Sequence, residues 1–232
     1  MKEIFDPKKT KDLIGFKDEF NTLKNVFFTN KQHKILMLSG HKGLGKSTII
    51  NHLLHYYFDS ENYNIEKRSI LRSSKFHNLF IQNLFPNIIY LSGSNFRNIK
   101  IEDIRNLKNN LLKTSIINDI RFIILDDVET FNNNSLNAIL KIIEDPGVNN
   151  FFILINNNTK KLIDTVKSRC LNIRIFLNET NRVKNISLLL ERFKEKIIVD
   201  KDLVKISPGN FLRYNHFFFE KKINLNEDFL SN

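Results

Sequence analysis

Gly40-His41-Lys42-Gly43-Leu44-Gly45-Lys46-Ser47 has the residue types and spacing to grip a polyphosphate, and it fits the pattern G-x-x-x-x-G-K-S/T in full. A short apolar run, Ile35 to Ser39, precedes it, and a stretch from Lys46 to Phe58 with apolar residues at helical spacing follows, which predicts strand, loop and helix. In that setting the glycines let backbone N–H groups turn towards phosphate oxygens, and the start of the helix adds favourable partial charge. Lys46 would bridge the outer phosphates and Ser47 would ligate Mg²⁺. The candidate nucleotide contacts are therefore Gly40, His41, Lys42, Gly43, Leu44, Gly45, Lys46, Ser47 and Thr48.

A second acidic feature lies downstream. Phe122-Ile123-Ile124-Leu125-Asp126-Asp127 is an apolar strand that ends in two carboxylates, the shape of a Walker B element. Asp126 is the candidate metal ligand opposite Ser47. Asp127 is the candidate for orienting an attacking water, a place usually held by Glu. Asp is shorter by one methylene, and a displacement near 1 Å in such a group costs on the order of 100-fold in rate, so weak or absent hydrolysis is expected. Glu129, two residues on, is a candidate to compensate for the short Asp127, but it reads better as a surface charge.

Such groups need a frame that brings them together. Further short apolar runs occur at Ile88 to Leu91, Phe151 to Ile155 and Ile173 to Phe176. Between the runs lie stretches that read as helices, at Ile101 to Leu112, Ser135 to Glu144 and Lys160 to Lys167. Strands alternating with helices predict an α/β fold, a parallel five-stranded sheet covered on both faces. Asp145-Pro146-Gly147 should close a helix before the fourth strand. After Phe176 the strand signals stop, and Thr180 to Glu195 and Asn210 to Glu220 read as helices, the second entered through Ser207-Pro208-Gly209. The expected division is a nucleotide-binding core at 1–177, a small helical lid at 178–220 and a tail at 221–232. Asn132-Asn133-Asn134 and Asn156-Asn157-Asn158 read as loops.

Composition narrows the class. The chain has 232 residues, 41% of them hydrophobic, enough for one large domain and a small one. No apolar run approaches the roughly 18 residues of a membrane span, and Met1 to Pro7 lacks the apolar stretch of a signal peptide, so a cytoplasmic location without membrane contact is expected. The single cysteine, Cys170, excludes an internal disulfide framework and a multi-cysteine zinc module. A formal net charge of +11 draws the chain towards polyanions. The lysines are spread along the sequence, however, and part of that charge reads equally well as a solvated surface.

The segment Phe152 to Thr159, followed by a helix and then Lys167-Ser168-Arg169-Cys170, resembles the sensor-1 strand and Ser-Arg-Cys motif of AAA+ clamp-loader ATPases. Asp6-Pro7 through Phe16, Ile101 to Arg105, Leu136 to Pro146 and Ser207-Pro208-Gly209 resemble other blocks of the delta-prime group of that family, in order, so the resemblance runs from about Asp6 to Arg213. It implies an AAA+ core and lid, with ATP and Mg²⁺ as cofactors and no zinc. Asn157 would be the sensor-1 residue facing the γ-phosphate, and Arg169 an arginine finger supplied in trans to a neighbouring subunit. The implied partners are other clamp-loader subunits, the sliding clamp and the backbone of primed DNA. Gly209 and Asn210 stand where an active relative carries its lid arginine, with Arg213 about one turn later, and no helical collar like that of the relatives is expected within these 232 residues. An ATP-hydrolysing gamma/tau-type motor, a small-molecule kinase and an interaction module with a vestigial phosphate loop are the alternatives.

Overall fold

The computed structural model describes residues 5–29, 33–71, 73–93, 99, 101–112, 120–201 and 204–221. Its centre is a five-stranded sheet formed by β1 (Ile35–Ser39), β4 (Ile88–Ser92), β5 (Arg121–Asp126), β6 (Asn150–Asn156) and β7 (Leu171–Arg174). The strands lie in the order β4-β5-β6-β1-β7, every pair parallel. A small antiparallel hairpin, β2 (Tyr63–Asn64) with β3 (Ser69–Ile70), stands apart from it. The helices are α1 (Lys17–Thr29), α2 (Lys46–Phe58), α3 (Lys75–Ile81), α4 (Ile101–Leu112), α5 (Asn133–Glu144), α6 (Asp164–Lys167), α7 (Glu179–Phe193) and α8 (Pro208–Lys221).

The near-continuous apolar strands follow from burial on both faces, because successive strand side chains point to opposite sides. Leu36, Leu38, Phe122, Ile124, Phe151 and Ile153 pack on one face with Phe20 and Leu23 of α1 and Ile49, Ile50, Leu53 and Leu54 of α2. Met37, Ile123, Leu125, Phe152 and Leu154 pack on the other with Ile104 and Leu107 of α4 and Leu136, Ile139 and Ile142 of α5. A third, smaller cluster holds α7 to α8 through Ile186, Leu190, Phe211 and Leu212, with Val199 between them. No described helix is long and apolar enough to cross a membrane.

Several sequence-based boundaries move, each for a local reason. The last strand is Leu171–Arg174 rather than 173–176, because it pairs with β1 and β1 ends at Ser39, opposite Arg174. As an edge strand it alternates half-buried Leu171 and Ile173 with exposed Asn172 and Arg174, and Phe176 projects 66% exposed beyond it. The helix expected at 160–167 shrinks to the single turn of α6, since Ile163 is extended and Leu162 is buried before the turn begins. Asn132-Asn133-Asn134 is not a loop. Asn132 is the N-cap of α5, its side-chain oxygen accepting from Ser135 N at 2.8 Å, and Asn133 and Asn134 open the helix. Asn156 likewise closes β6 rather than lying in a loop. Asn178 caps α7 in the same manner, accepting from Asn181 N at 2.8 Å.

Candidate functional site

Parallel sheets present their ligand sites outside the carboxyl ends of the strands, at the crevice where the strand order reverses. Here β1 lies between β6 and β7, and the chain leaves β1 at Gly40, leaves β5 at Asp127 and leaves β6 at Asn157, all at that edge. The three exits line one cavity of about 450 Å³, whose walls include Lys46, Ser47, Asp126, Asp127 and Asn157. Thr48, Lys42, Gly43, Leu44 and Gly45 line it too.

The loop leaving β1 is built to bind an anion. Gly45 is the N-cap of α2 at φ 97°, a left-handed conformation natural to glycine, and offers no side-chain acceptor to the first amides of the helix. Those amides and the positive end of the helix are thus left for a ligand. Gly43 lies at φ 84°, and a β-carbon there would come within 2.4 Å of Ser207 Oγ, so its lack of a side chain lets the start of α8 sit on the loop. Lys46 is buried, its ammonium donating to the carbonyls of Gly40 at 2.6 Å and His41 at 2.8 Å. Burial lowers its pKa to about 8, against the raising pull of Asp126, Glu129 and Asp127.

Asp126 ends β5 beside this lysine. Its Oδ2 accepts from Ser47 Oγ at 3.2 Å and from the Tyr90 hydroxyl, while its Oδ1 accepts from Asp127 N at 2.9 Å. Burial raises the Asp126 pKa, and burial followed by the Asp126 charge raises that of Tyr90. A buried carboxylate facing a Ser hydroxyl, with no cation of its own on either oxygen among these contacts, is chemically suited to a hard divalent ion. Asp127 adopts the left-handed conformation, φ 54° and ψ 41°, which turns its side chain out of the strand line. Asn157 Nδ2 donates to Asp127 Oδ1 at 2.6 Å, and Lys42 Nζ reaches both Asp127 oxygens at 3.2 and 3.4 Å.

Glu129 is not a surface charge. It is 5% exposed, and its Oε1 accepts from Asn157 N at 3.1 Å, Thr159 N at 3.3 Å and Thr159 Oγ1 at 2.8 Å. It therefore fixes the turn that carries Asn157. Tyr90 and Glu129 are the site residues that sequence reading missed. Tyr90 stood inside an apolar run, and Glu129 needed the neighbouring strand to acquire a partner. Arg213, one turn into α8, also lines the cavity, with Leu212, Asn185 and Leu189 of the helical pair and Ile14 and Phe16 of the N-terminal segment. Arg169 does not line it. Its guanidinium lies on the surface, donating to Glu144 Oε1 from Nε at 3.1 Å and Nη2 at 2.7 Å, and to Thr165 O at 3.0 Å.

A parallel sheet in this strand order, a phosphate loop between β1 and α2, an acidic end to β5 and a helical C-terminal pair define an AAA+ P-loop protein. The model of the family described as DNA polymerase III, delta subunit, matches residues 16–178, and the chain belongs to that family of AAA+ clamp-loader proteins. It is 28% identical over 170 residues to the DNA polymerase III subunit gamma of Buchnera aphidicola subsp. Schizaphis graminum, covering 73% of this chain and 45% of the relative. It is 24% identical over 152 residues to the DNA polymerase III subunit delta' of Buchnera aphidicola subsp. Baizongia pistaciae, covering 62% of this chain and 44% of the relative. The chain thus spans less than half the length of these two relatives. Among solved structures, the Thermotoga maritima RuvB Holliday junction branch migration motor aligns over 94% of this chain and 69% of its own, with a TM-score of 0.55 at 15% identity, a likeness of fold alone.

Proposed function

We propose that the chain is a delta-prime-like subunit of a DNA polymerase III clamp loader, which binds ATP with Mg²⁺ and offers Arg169 to the nucleotide of a neighbouring subunit. The observation that carries this reading is a separation of charges. Lys46, Ser47, Asp126 and Asn157 face one internal cavity, while Arg169 stands outside it with its side chain 39% exposed. A guanidinium held in a surface ion pair with Glu144 is available to another chain, and serves no group in its own cavity.

The residues fit the nucleotide. The free amides at the start of α2 and the ammonium of Lys46 would hold the phosphates, and Ser47 and Asp126 would hold the metal. When bound, Mg²⁺ supplies neutralisation of the charge on the outer phosphate oxygens. Ile14, Phe16, Leu189 and Leu212 give the far end of the cavity an apolar lining suited to a flat base. In this reading residues 1–177 form the core and 178–220 the lid that closes over the base, while the tail expected at 221–232 lies, from 222 on, outside the described residues. Asn157 senses the γ-phosphate, and Asp127 is the candidate for orienting water.

Contact with DNA, in the same reading, is to the phosphate backbone. A groove of about 330 Å³ between α4 and α5 presents Arg105, Lys108 and Lys141 with Asn134 and Asn137, and no acidic residue lines it. Other clamp-loader subunits and the sliding clamp complete the set of partners, in the cytoplasm. An ATP-hydrolysing gamma/tau-type motor is the second reading, favoured by the position of Arg213 at the cavity wall.

Calorimetry of the full chain with Mg-ATP, followed by assembly with clamp-loader partners, tests the proposal. Wild type should bind ATP and Lys46→Ala should not. Arg169→Ala should leave ATP affinity unchanged but lower the ATPase rate of the assembled complex by about 1,000-fold or more. An unchanged rate in that complex would remove the finger assignment, and rapid turnover by the isolated chain would favour the motor reading.

A further inference from the structure

Lys42 is held at both ends. Its carbonyl oxygen accepts from Ser207 Oγ at 2.5 Å and from Asn210 Nδ2 at 3.2 Å, both at the start of α8. Beside it, Gly209 N donates to Gly43 O at 2.9 Å. Its ammonium lies on the carboxylate of Asp127, whose side chain is 4% exposed.

A carboxylate oxygen has two acceptor directions. On Asp127, Oδ1 already accepts from Asn157 Nδ2 and from Lys42 Nζ, and Lys42 reaches Oδ2 as well. A water that is to be oriented by Asp127 must therefore share Oδ2 with the ammonium, which competes for the same carboxylate. The bonds from α8 to the loop carbonyls fix the point from which the lysine side chain reaches Asp127.

We propose that Lys42 is a positioning residue that couples the lid to Asp127: docking of α8 fixes the Lys42 backbone, and its ammonium then competes with water for the Asp127 carboxylate. The consequence is a subunit that consumes bound ATP several-fold more slowly while the lid is docked. This rests on reading the cavity as an ATP site. It adds a reason for slow hydrolysis that is separate from the short side chain of Asp127. Because Lys42 is 44% exposed on its side chain, solvent screens the pair and the effect should be several-fold rather than many orders of magnitude.

The test uses the full chain with Lys42→Met, Lys42→Arg, Asp127→Asn and the double change Ser207→Ala/Asn210→Ala. With the chain in saturating excess over Mg-ATP, single-turnover phosphate release should rise about fivefold in Lys42→Met and less in Lys42→Arg, which keeps a cation. The Ser207→Ala/Asn210→Ala protein should show a smaller rise together with faster amide exchange across 207–212. Without nucleotide, the melting-temperature losses of Lys42→Met and Asp127→Asn should fall short of adding when the two are combined. Calorimetric ATP binding is measured on each protein. If wild type does not bind ATP, the reading of the cavity fails and this inference with it. If ATP binds but phosphate release is unchanged in Lys42→Met, or Lys42→Arg matches Lys42→Met, or the melting losses add, Lys42 does not restrain Asp127. An unchanged rate in Ser207→Ala/Asn210→Ala would remove the link to the lid.

Discussion

Phe152 and Phe211 are each 1% exposed, yet they belong to cores of different depth. Phe152 sits in the sheet between α4 and α5, with Met37, Leu125, Leu154, Ile139 and Ile142 in its cluster. Among the described residues, Phe211 shares its cluster with buried Ile186, Leu190, Val199 and Leu212, edged by partly buried side chains such as Phe5, Phe193 and Phe218. The helical pair meets the rest of the chain through the Phe5 ring, which packs edge-on against Phe193 and His216, and through polar contacts. Gly209 N, Ser207 Oγ and Asn210 Nδ2 bond to carbonyls of the phosphate loop, and Arg192 pairs with Asp12. The groups expected to hold phosphate and metal thus stand on the deep core. The groups that close the cavity stand on the shallow one, which is the less costly part to displace.

Paired truncations would break or sharpen this contrast. Phe152→Ala should cost about 3–5 kcal/mol of global stability, read by denaturant unfolding of the whole chain. Phe211→Ala removes the same atoms but should act locally, speeding amide exchange in α7 and α8 and weakening ATP while the sheet amides keep their protection. Equal loss of protection in both regions would show one cooperative unit and end the distinction.

Acid should find the sheet side through α2. His55 Nε2 lies 2.9 Å from His77 Nδ1, His55 Nδ1 lies 2.7 Å from Asn51 O, and His52 Nδ1 lies 3.2 Å from the Tyr63 hydroxyl. Burial, aided by neighbouring histidines, lowers His52 to about 3 and His55 to about 4, so both are neutral in the fold. The unfolded chain begins to bind these protons near pH 6.5, and stability falls as pH drops from there towards the folded values. The expected loss is about 2–3 kcal/mol by pH 5.5, measured by unfolding at each pH. A flat profile between pH 6.5 and 5.5 would contradict neutral burial.

Lys46 gives the opposite window. Its folded pKa of about 8 lies below the ordinary lysine value, so the ligand-free protein sheds this proton above about pH 8. A bound triphosphate favours the ammonium, so binding takes up a proton there and ATP affinity should fall by up to about tenfold per pH unit above 8. Stability of the ligand-free chain moves the other way, rising from pH 8 towards 10.5 as the buried amine neutralises. Calorimetry in buffers of different ionisation enthalpy measures the proton uptake directly.

What the sequence discloses and what it hides divide along a physical line. The phosphate loop is legible because its glycines, lysine and serine act through local backbone geometry. The inner strands are legible because burial on two faces writes continuous apolar runs. Edge strand β7 was displaced because one exposed face breaks that run with Asn172 and Arg174. Helix α3 and the β2–β3 hairpin are too short to carry a period. Tyr90, Glu129 and the Lys42–Asp127 pair are tertiary facts: each joins segments 28 to 85 positions apart, and no local pattern announces them.

The smallest effect concerns Asn132, read as loop from its asparagine run. Its oxygen caps α5 by accepting from Ser135 N, and its Nδ2 donates to Ile99 O at 3.1 Å. Ser135 Oγ donates to the same carbonyl at 3.0 Å, so one cap also ties the approach to α4 onto α5. Asn132→Ala should cost about 1 kcal/mol, whereas Asn132→Asp keeps the cap acceptor and loses only the donor to Ile99, and should cost less. Both substitutions lie on the deep core side and away from α8, so ATP affinity should stay at its wild-type value. A change in affinity comparable to that of Phe211→Ala would mean that the two cores are mechanically joined.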